Sequence, residues 1–214
     1  MNKKTGVIGI IITFLILTTL VVITNIDTSK FSYVEGIIKA ENKTLREYAN
    51  LTDQYTKYTT VPAYIIDRDL SNLTSTIVIN VGKSEGVSKN MPVVSEKGVV
   101  GHVISSTETT SKVQPIIDSS SSVSAIMNIS RDNIIVKGNL GDSNLLKATY
   151  ISADADLVLN DDVETSGLGG IYPKGLRIGR LIEIKEAPNI TEKYALIEPA
   201  VDFSKLETVL VIIK

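Results

Sequence analysis

Histidine occurs once in the 214 residues, at His102, and cysteine not at all. A cysteine nucleophile, a zinc–thiolate site, an iron–sulfur cluster, a disulfide framework and a multi-histidine metal centre are therefore excluded. His102 lies in VVGHVIS (99–105), a run that reads as a strand. A Ser-His-Asp hydrolase would need Ser and Asp brought to it by the fold. The Gly-x-Ser-x-Gly elbow is missing, because TSGLGG (165–170) lacks its flanking glycines, with Glu164 and Leu168 standing two residues either side of Ser166. A plain strand residue is the default reading of His102. The same TSGLGG fails the phosphate-loop pattern, since no Gly-Lys-Ser/Thr follows and no helical pattern opens after it. It reads instead as a glycine-rich turn running on into Ile171-Tyr172-Pro173. Exposed, that apolar tip would be a binding feature; buried, it would be packing. Ser166, Gly167, Leu168, Gly169, Ile171 and Tyr172 are thus a candidate partner-contact loop. The carboxylate pairs Asp67/Asp69, Asp154/Asp156 and Asp161/Asp162 read as solvated loop residues, since an acid–base pair is set by the fold and not by local spacing. No catalytic, cofactor-binding or metal-binding residue is assigned, and the chain is expected not to be an enzyme.

Composition narrows the field further. Hydrophobic residues make up 43% and charged residues 21%, ordinary for a folded protein. A net charge of −2 supplies no basic field for nucleic acid. Tryptophan is absent and aromatics are 5%, which leaves little for a sugar- or base-stacking platform.

The elements that must position these residues begin with an uncharged run, Gly6 to Thr24, rich in Ile, Leu and Val. Its 19 residues would span about 28 Å as a helix, close to a bilayer core. Lys3 and Lys4 precede it and Asp27 follows, so residues 1–5 are expected in the cytoplasm and the remainder outside. A cleaved signal peptide is the rival, but residues 24–30 (TNIDTSK) offer no small-residue cleavage site. Residues 28–60 are expected to form a helical stalk. Phe31, Val34, Ile38, Leu45, Tyr48 and Tyr55 fall on one heptad seam, with Glu41 and Thr52 as its polar members. Either a solvated amphipathic spacer or a short parallel coiled coil fits this pattern. In the second case Phe31, Val34, Ile38, Leu45 and Tyr48 are the self-association residues, aided by tethering in a membrane.

From Val61 the period changes to short β-branched runs bounded by Gly, Asn, Asp or Ser, among them TIVINV (76–81), NIIVKG (133–138) and TVLVII (208–213). That pattern predicts a mainly β region, arranged as a small sandwich or barrel, without parallel βαβ layering. Residues 87–104 and 158–182 echo one another: Val, polar turn, short strand ending in Ser, Lys-Gly, then a glycine-bearing apolar strand. Gly98, Gly101, Gly175 and Gly179 inside these patterns suggest bulges or barrel corners. The physical reading is an anchored, exported β module on a helical stalk that works by holding partners.

INVGKSEGVSKNMPVVSEKGVVGHVI (79–104), QPIID (114–118), VETSGLGGIYPKGLRIGRL (163–181) and EPAVDFSKLETVLVI (198–212) together resemble the bacterial rod-shape-determining MreC family. The resemblance implies an N-terminal transmembrane helix and short helical stalk followed by two small β-barrel-like subdomains, provisionally 61–130 and 131–214. It implies a scaffold of the cell-wall elongation machinery that maintains rod shape by organising and activating peptidoglycan synthases. Expected partners are a second copy in a homodimer or higher assembly, MreD, RodA, a class B penicillin-binding protein, and MreB indirectly or through the cytoplasmic tail. The alternatives are a periplasmic adaptor of an export system, although its long helical hairpin is not visible, and a membrane-tethered hydrolase using His102.

Overall fold

The computed structural model describes residues 33, 36–39, 41, 55–70, 75–141, 144–152, 155–186 and 193–213. Two compact units divide the chain, Met1–Arg46 and Glu47–Lys214. Of the first, residues 33, 36–39 and 41 are described as helical, with Ile38 half exposed. Phe31, Val34, Leu45 and Tyr48, and the apolar run 6–24, lie outside the described residues. Among those described, no helix is long and apolar enough to cross a membrane.

Twelve strands are described in the second unit: β1 Thr60–Leu70, β2 Ser75–Ile79, β3 Pro92–Ser95, β4 Gly98–Ser106, β5 Ser111–Pro115, β6 Val123–Met127, β7 Asn133–Gly138, β8 Leu146–Ile151, β9 Asp162–Thr165, β10 Arg177–Glu186, β11 Lys193–Pro199 and β12 Thr208–Ile212. They close into two six-stranded barrels, β1-β12-β3-β4-β5-β2 and β10-β11-β8-β7-β6-β9. Alternation sets each register. In β2 (STIVI) and β6 (VSAIM) every second residue is buried, because successive side chains face the barrel interior and then the outside. β12 (TVLVI) is buried at all five positions, as its near-continuous apolar run requires of a strand covered on both faces. Ile77, Ile79, Val93, Val103, Val113 and Val211 fill the first barrel, and Met127, Val136, Leu146, Leu181 and Ile197 the second.

The barrel boundary differs from the sequence expectation of 61–130 and 131–214. β6, which begins at Val123, already belongs to the second barrel, and β12 returns to the first, pairing with both β1 and β3. Local patterning reveals strands but not which sheet a strand joins.

The sequence echo is a structural duplication. Matching β3 to β9, β4 to β10, β5 to β11, β2 to β8, β1 to β7 and β12 to β6 superimposes the two cyclic strand orders. The first barrel is therefore a circular permutation of the second, with its opening strand supplied by the C-terminal end. The ladder agrees residue by residue. Val93 faces Gly101 as Val163 faces Gly179, and Gly101 faces Pro115 as Gly179 faces Pro199. Bulges recur at Val103/Ser105 and Leu181/Glu183. Asn90 and Asn160, both at positive φ, donate their amides to Val103 O at 2.8 Å and Leu181 O at 2.9 Å. Gly101 and Gly179 are there because a Cβ would lie 2.0 Å from Gln114 O and 2.1 Å from Glu198 O.

Each crossover between barrels leaves through the same turn. After β5 the Asp118 carboxylate accepts the Ser120 amide at 3.0 Å, and after β11 Asp202 accepts the Ser204 amide at 3.1 Å. Asp118 also accepts the Ser75 amide at 2.6 Å and Gln114 Nε2 at 2.8 Å. Burial pushes the Asp118 carboxyl up, but hydrogen bonds led by Ser120 and the Ser75 amide outweigh it and hold it below the ordinary range. The Arg68 guanidinium spans the second crossover, donating to Phe203 O at 3.2 Å and to Ser204 O and Leu206 O at 2.5 Å.

Candidate interaction site

The glycine-rich loop connects β9 to β10 at the seam between the barrels. Its base is fixed. Thr165 Oγ1 donates to Pro173 O at 2.5 Å and accepts the Leu176 amide at 2.9 Å, while the Ser166 amide donates to Ser124 O at 3.0 Å. Gly167, Gly169 and Gly170 have φ of +83°, +88° and +76°, a run that side chains would strain. The turn lifts Leu168 into solvent, where it is 62% exposed. Ser166 and Ile171 are half-buried, and Ile171 packs against the core.

Tyr172 differs from the expectation of a free contact residue. It is buried, and its hydroxyl lies 3.0 Å from His102 Nδ1 on β4 of the other barrel, the rings meeting edge to face. Burial drives its phenol pKa well above the ordinary value. Tyr172 is a latch across the seam, because it belongs to a loop of the second barrel and its ring meets His102 of the first. Burial, and next the charge of Lys89, lower the His102 pKa and favour the neutral ring. His102 thus meets Tyr172 as a half-buried ring across the seam. Beside it Gly98, at φ +154°, lets β4 approach β10 so closely that a Cβ would lie 2.3 Å from Arg177 O.

A second feature escaped the sequence. Ile129, Val158, Leu159, Ile182 and Ile184 are exposed at one end of the second barrel, Ile129 at 63% and Leu159 at 55%. Hydrogen bonds gather their segments. The buried Asp161 carboxylate accepts the Ile129 amide through both oxygens at 3.0 Å, and the Asn160 amide donates to Leu181 O. The signal was present in LRIGRLIEI, where Ile182 sits at the β10 bulge between Leu181 and Glu183 and Ile184 follows it, both exposed. No group of three or more His, Asp or Glu among the described residues is placed to hold a metal ion.

Residues 65–213 match the family profile described as "Rod shape-determining protein MreC, barrel core". This chain belongs to the MreC family. The cell shape-determining protein MreC of Geobacillus stearothermophilus is 31% identical over 185 residues, covering 82% of this chain and 64% of that protein. The chain thus spans under two thirds of that relative's length. Among solved structures, MreC of Listeria monocytogenes has a TM-score of 0.66 at 28% identity, covering 87% of this chain and 90% of that one. A complex between penicillin-binding protein PBP2 and MreC from Helicobacter pylori matches with a TM-score of 0.59 at 19% identity, over 73% of this chain and 98% of that one, which bears on the fold alone. The relatives are named as cell shape-determining proteins, and the export-adaptor alternative is not favoured.

Proposed function

We propose that this protein is a membrane-anchored, extracytoplasmic scaffold that organises and activates peptidoglycan synthases and so maintains rod shape. The observation carrying this reading is the match of residues 65–213 to the MreC barrel core. The uncharged run 6–24 behind Lys3 and Lys4 is the anchor, with the N-terminus cytoplasmic and the barrels outside. A class B penicillin-binding protein is the primary partner, by analogy with the Helicobacter pylori complex of PBP2 with MreC. Leu168 and the apolar end formed by Ile129, Leu159 and Ile182 are the contact surfaces, since exposed apolar clusters of this kind are what a protein partner buries. MreD, RodA, MreB and a second copy complete the assembly, the last through the stalk seam.

The test is binding of the full-length protein, in detergent, to the class B penicillin-binding protein of its own cell. The expected result is a complex weakened about tenfold by Leu159→Glu with Ile182→Glu, as loss of a central apolar contact implies. Undiminished binding by that variant would move the contact elsewhere, and no binding by the native protein would refute the partner.

A further inference from the structure

The outer face of the second barrel carries a feature that scaffolding does not use. β7 and β8 place Lys137 directly opposite Lys147 in register. Like charges paired across a ladder repel one another. Among the described residues neither lysine has an ion-pair partner. The Lys147 ammonium instead sits 4.4 Å above the Tyr194 ring. These residues line a cleft of about 700 Å³, together with Lys193, Thr149 and Tyr150. Among the described residues lining it, Asp132 is the one carboxylate beside Lys137, Lys147 and Lys193, although the chain as a whole is acidic.

Tyr150 is a second, independent anomaly. It has φ +58°, in the left-handed region, where the register of β8 against β11 shifts between Lys193 and Ala195. A glycine would occupy that bulge without strain. The strained residue is instead an aromatic one, 78% exposed at the edge of the cleft. Strain held at an exposed aromatic marks a position where the side chain is used.

We propose that this cleft binds the phosphate-bearing sugar units of an anionic glycan. Lys137 and Lys147 meet the phosphate, the exposed Tyr150 ring covers a sugar face, and Thr149 Oγ1, which donates to Ile135 O at 3.3 Å, is left to accept from a sugar hydroxyl. The cations among the described lining residues are ammonium groups, which meet a phosphate as point charges. Its volume matches a single small-molecule unit, and its concavity distinguishes it from a flat lipid-facing patch.

The experiment is a titration of the full-length protein in neutral detergent micelles with glucose 1-phosphate, glucose, inorganic phosphate and a poly-glutamate peptide, followed by amide NMR. The expected result is that glucose 1-phosphate shifts β7 and β8 signals around Lys137, Lys147 and Tyr150 at lower concentration than the other three. Lys137→Gln with Lys147→Gln should weaken it about tenfold, as should raised salt. Tyr150→Ala should bring glucose 1-phosphate down to the level of inorganic phosphate. Equal response to inorganic phosphate in the native protein would overturn the sugar contact. Preference for poly-glutamate would assign the cleft to an acidic polypeptide instead. Shifts unaffected by the lysine pair, in a variant whose remaining spectrum is native, would overturn the site.

Discussion

Replacing Gly98 by alanine tests the seam that joins the barrels. The added Cβ would stand 2.3 Å from Arg177 O and 3.1 Å from its carbonyl carbon. Real Cβ contacts stop near 3.0 Å, so β4 must retreat from β10 by at least 0.7 Å. Both obstacles are backbone, and neither can rotate away. The φ of +154° adds a conformational penalty. Overpacking and the backbone penalty together should cost about 3 kcal/mol. Gly170→Ala is the matched control, because its φ is +76° but nothing lies within 4 Å of the new Cβ. That variant should cost about 1 kcal/mol, from backbone conformation alone. Urea unfolding of both variants, followed by the near-ultraviolet signal of the tyrosines, measures the difference. Since the Tyr172–His102 latch lies on the same seam, Gly98→Ala should also make the Tyr172 ring more accessible to solvent. Equal destabilisation of the two variants would refute close strand approach as the reason for glycine at position 98.

Arg68→Ala removes three donations to the carbonyls of the second crossover and should cost about 2 kcal/mol in urea unfolding, moderated because part of the site meets solvent. Because the His102 pKa is depressed below its ordinary 6.5, the unfolded chain takes up this proton first as pH falls. Stability should therefore be full above pH 6.5 and decline below it, through the lowered folded value, and His102→Gln should flatten that limb in a pH series of melting temperatures. Asp118, whose folded pKa is lowered, contributes a separate loss at more acidic pH, retained in the His102 variant. Tyr150→Gly relieves the left-handed strain and should raise stability by about 1 kcal/mol, read as a rise of about 2–4 °C in melting temperature.

Much of the second unit was legible in the sequence because its strands alternate. STIVI and VSAIM announce their buried face, and Gly101 and Gly179, read as bulges or corners, do adjoin register shifts, while the close approach at Gly98, Gly101 and Gly179 is visible only in the structure. The echo between 87–104 and 158–182 extends further than the strand pattern alone indicates. QPIIDSS and EPAVDFS occupy equivalent positions, each leaving its barrel through an Asp-x-Ser turn. Partnership between strands was not legible, because a run such as TVLVI carries its burial but not its neighbour. Hence β12 and β6 fell on the wrong side of a linear boundary. In the glycine-rich loop the sequence singled out a contact tip, and Leu168 occupies it, but Tyr172 turns inward because a tertiary partner, His102, accommodates its hydroxyl. The bulge at Leu181/Glu183, which holds Ile182, is a property of the pairing with β11, which no local window contains.

The central claim is that this chain holds wall synthesis in place. The most direct measurement is depletion of the protein in its own cell, with a fluorescent label for newly made wall and re-expression of the native chain. The account predicts rounding or swelling with dispersed side-wall labelling, reversed by the native chain and not by one with Leu159→Glu and Ile182→Glu. Unchanged shape and unchanged labelling after depletion would contradict it.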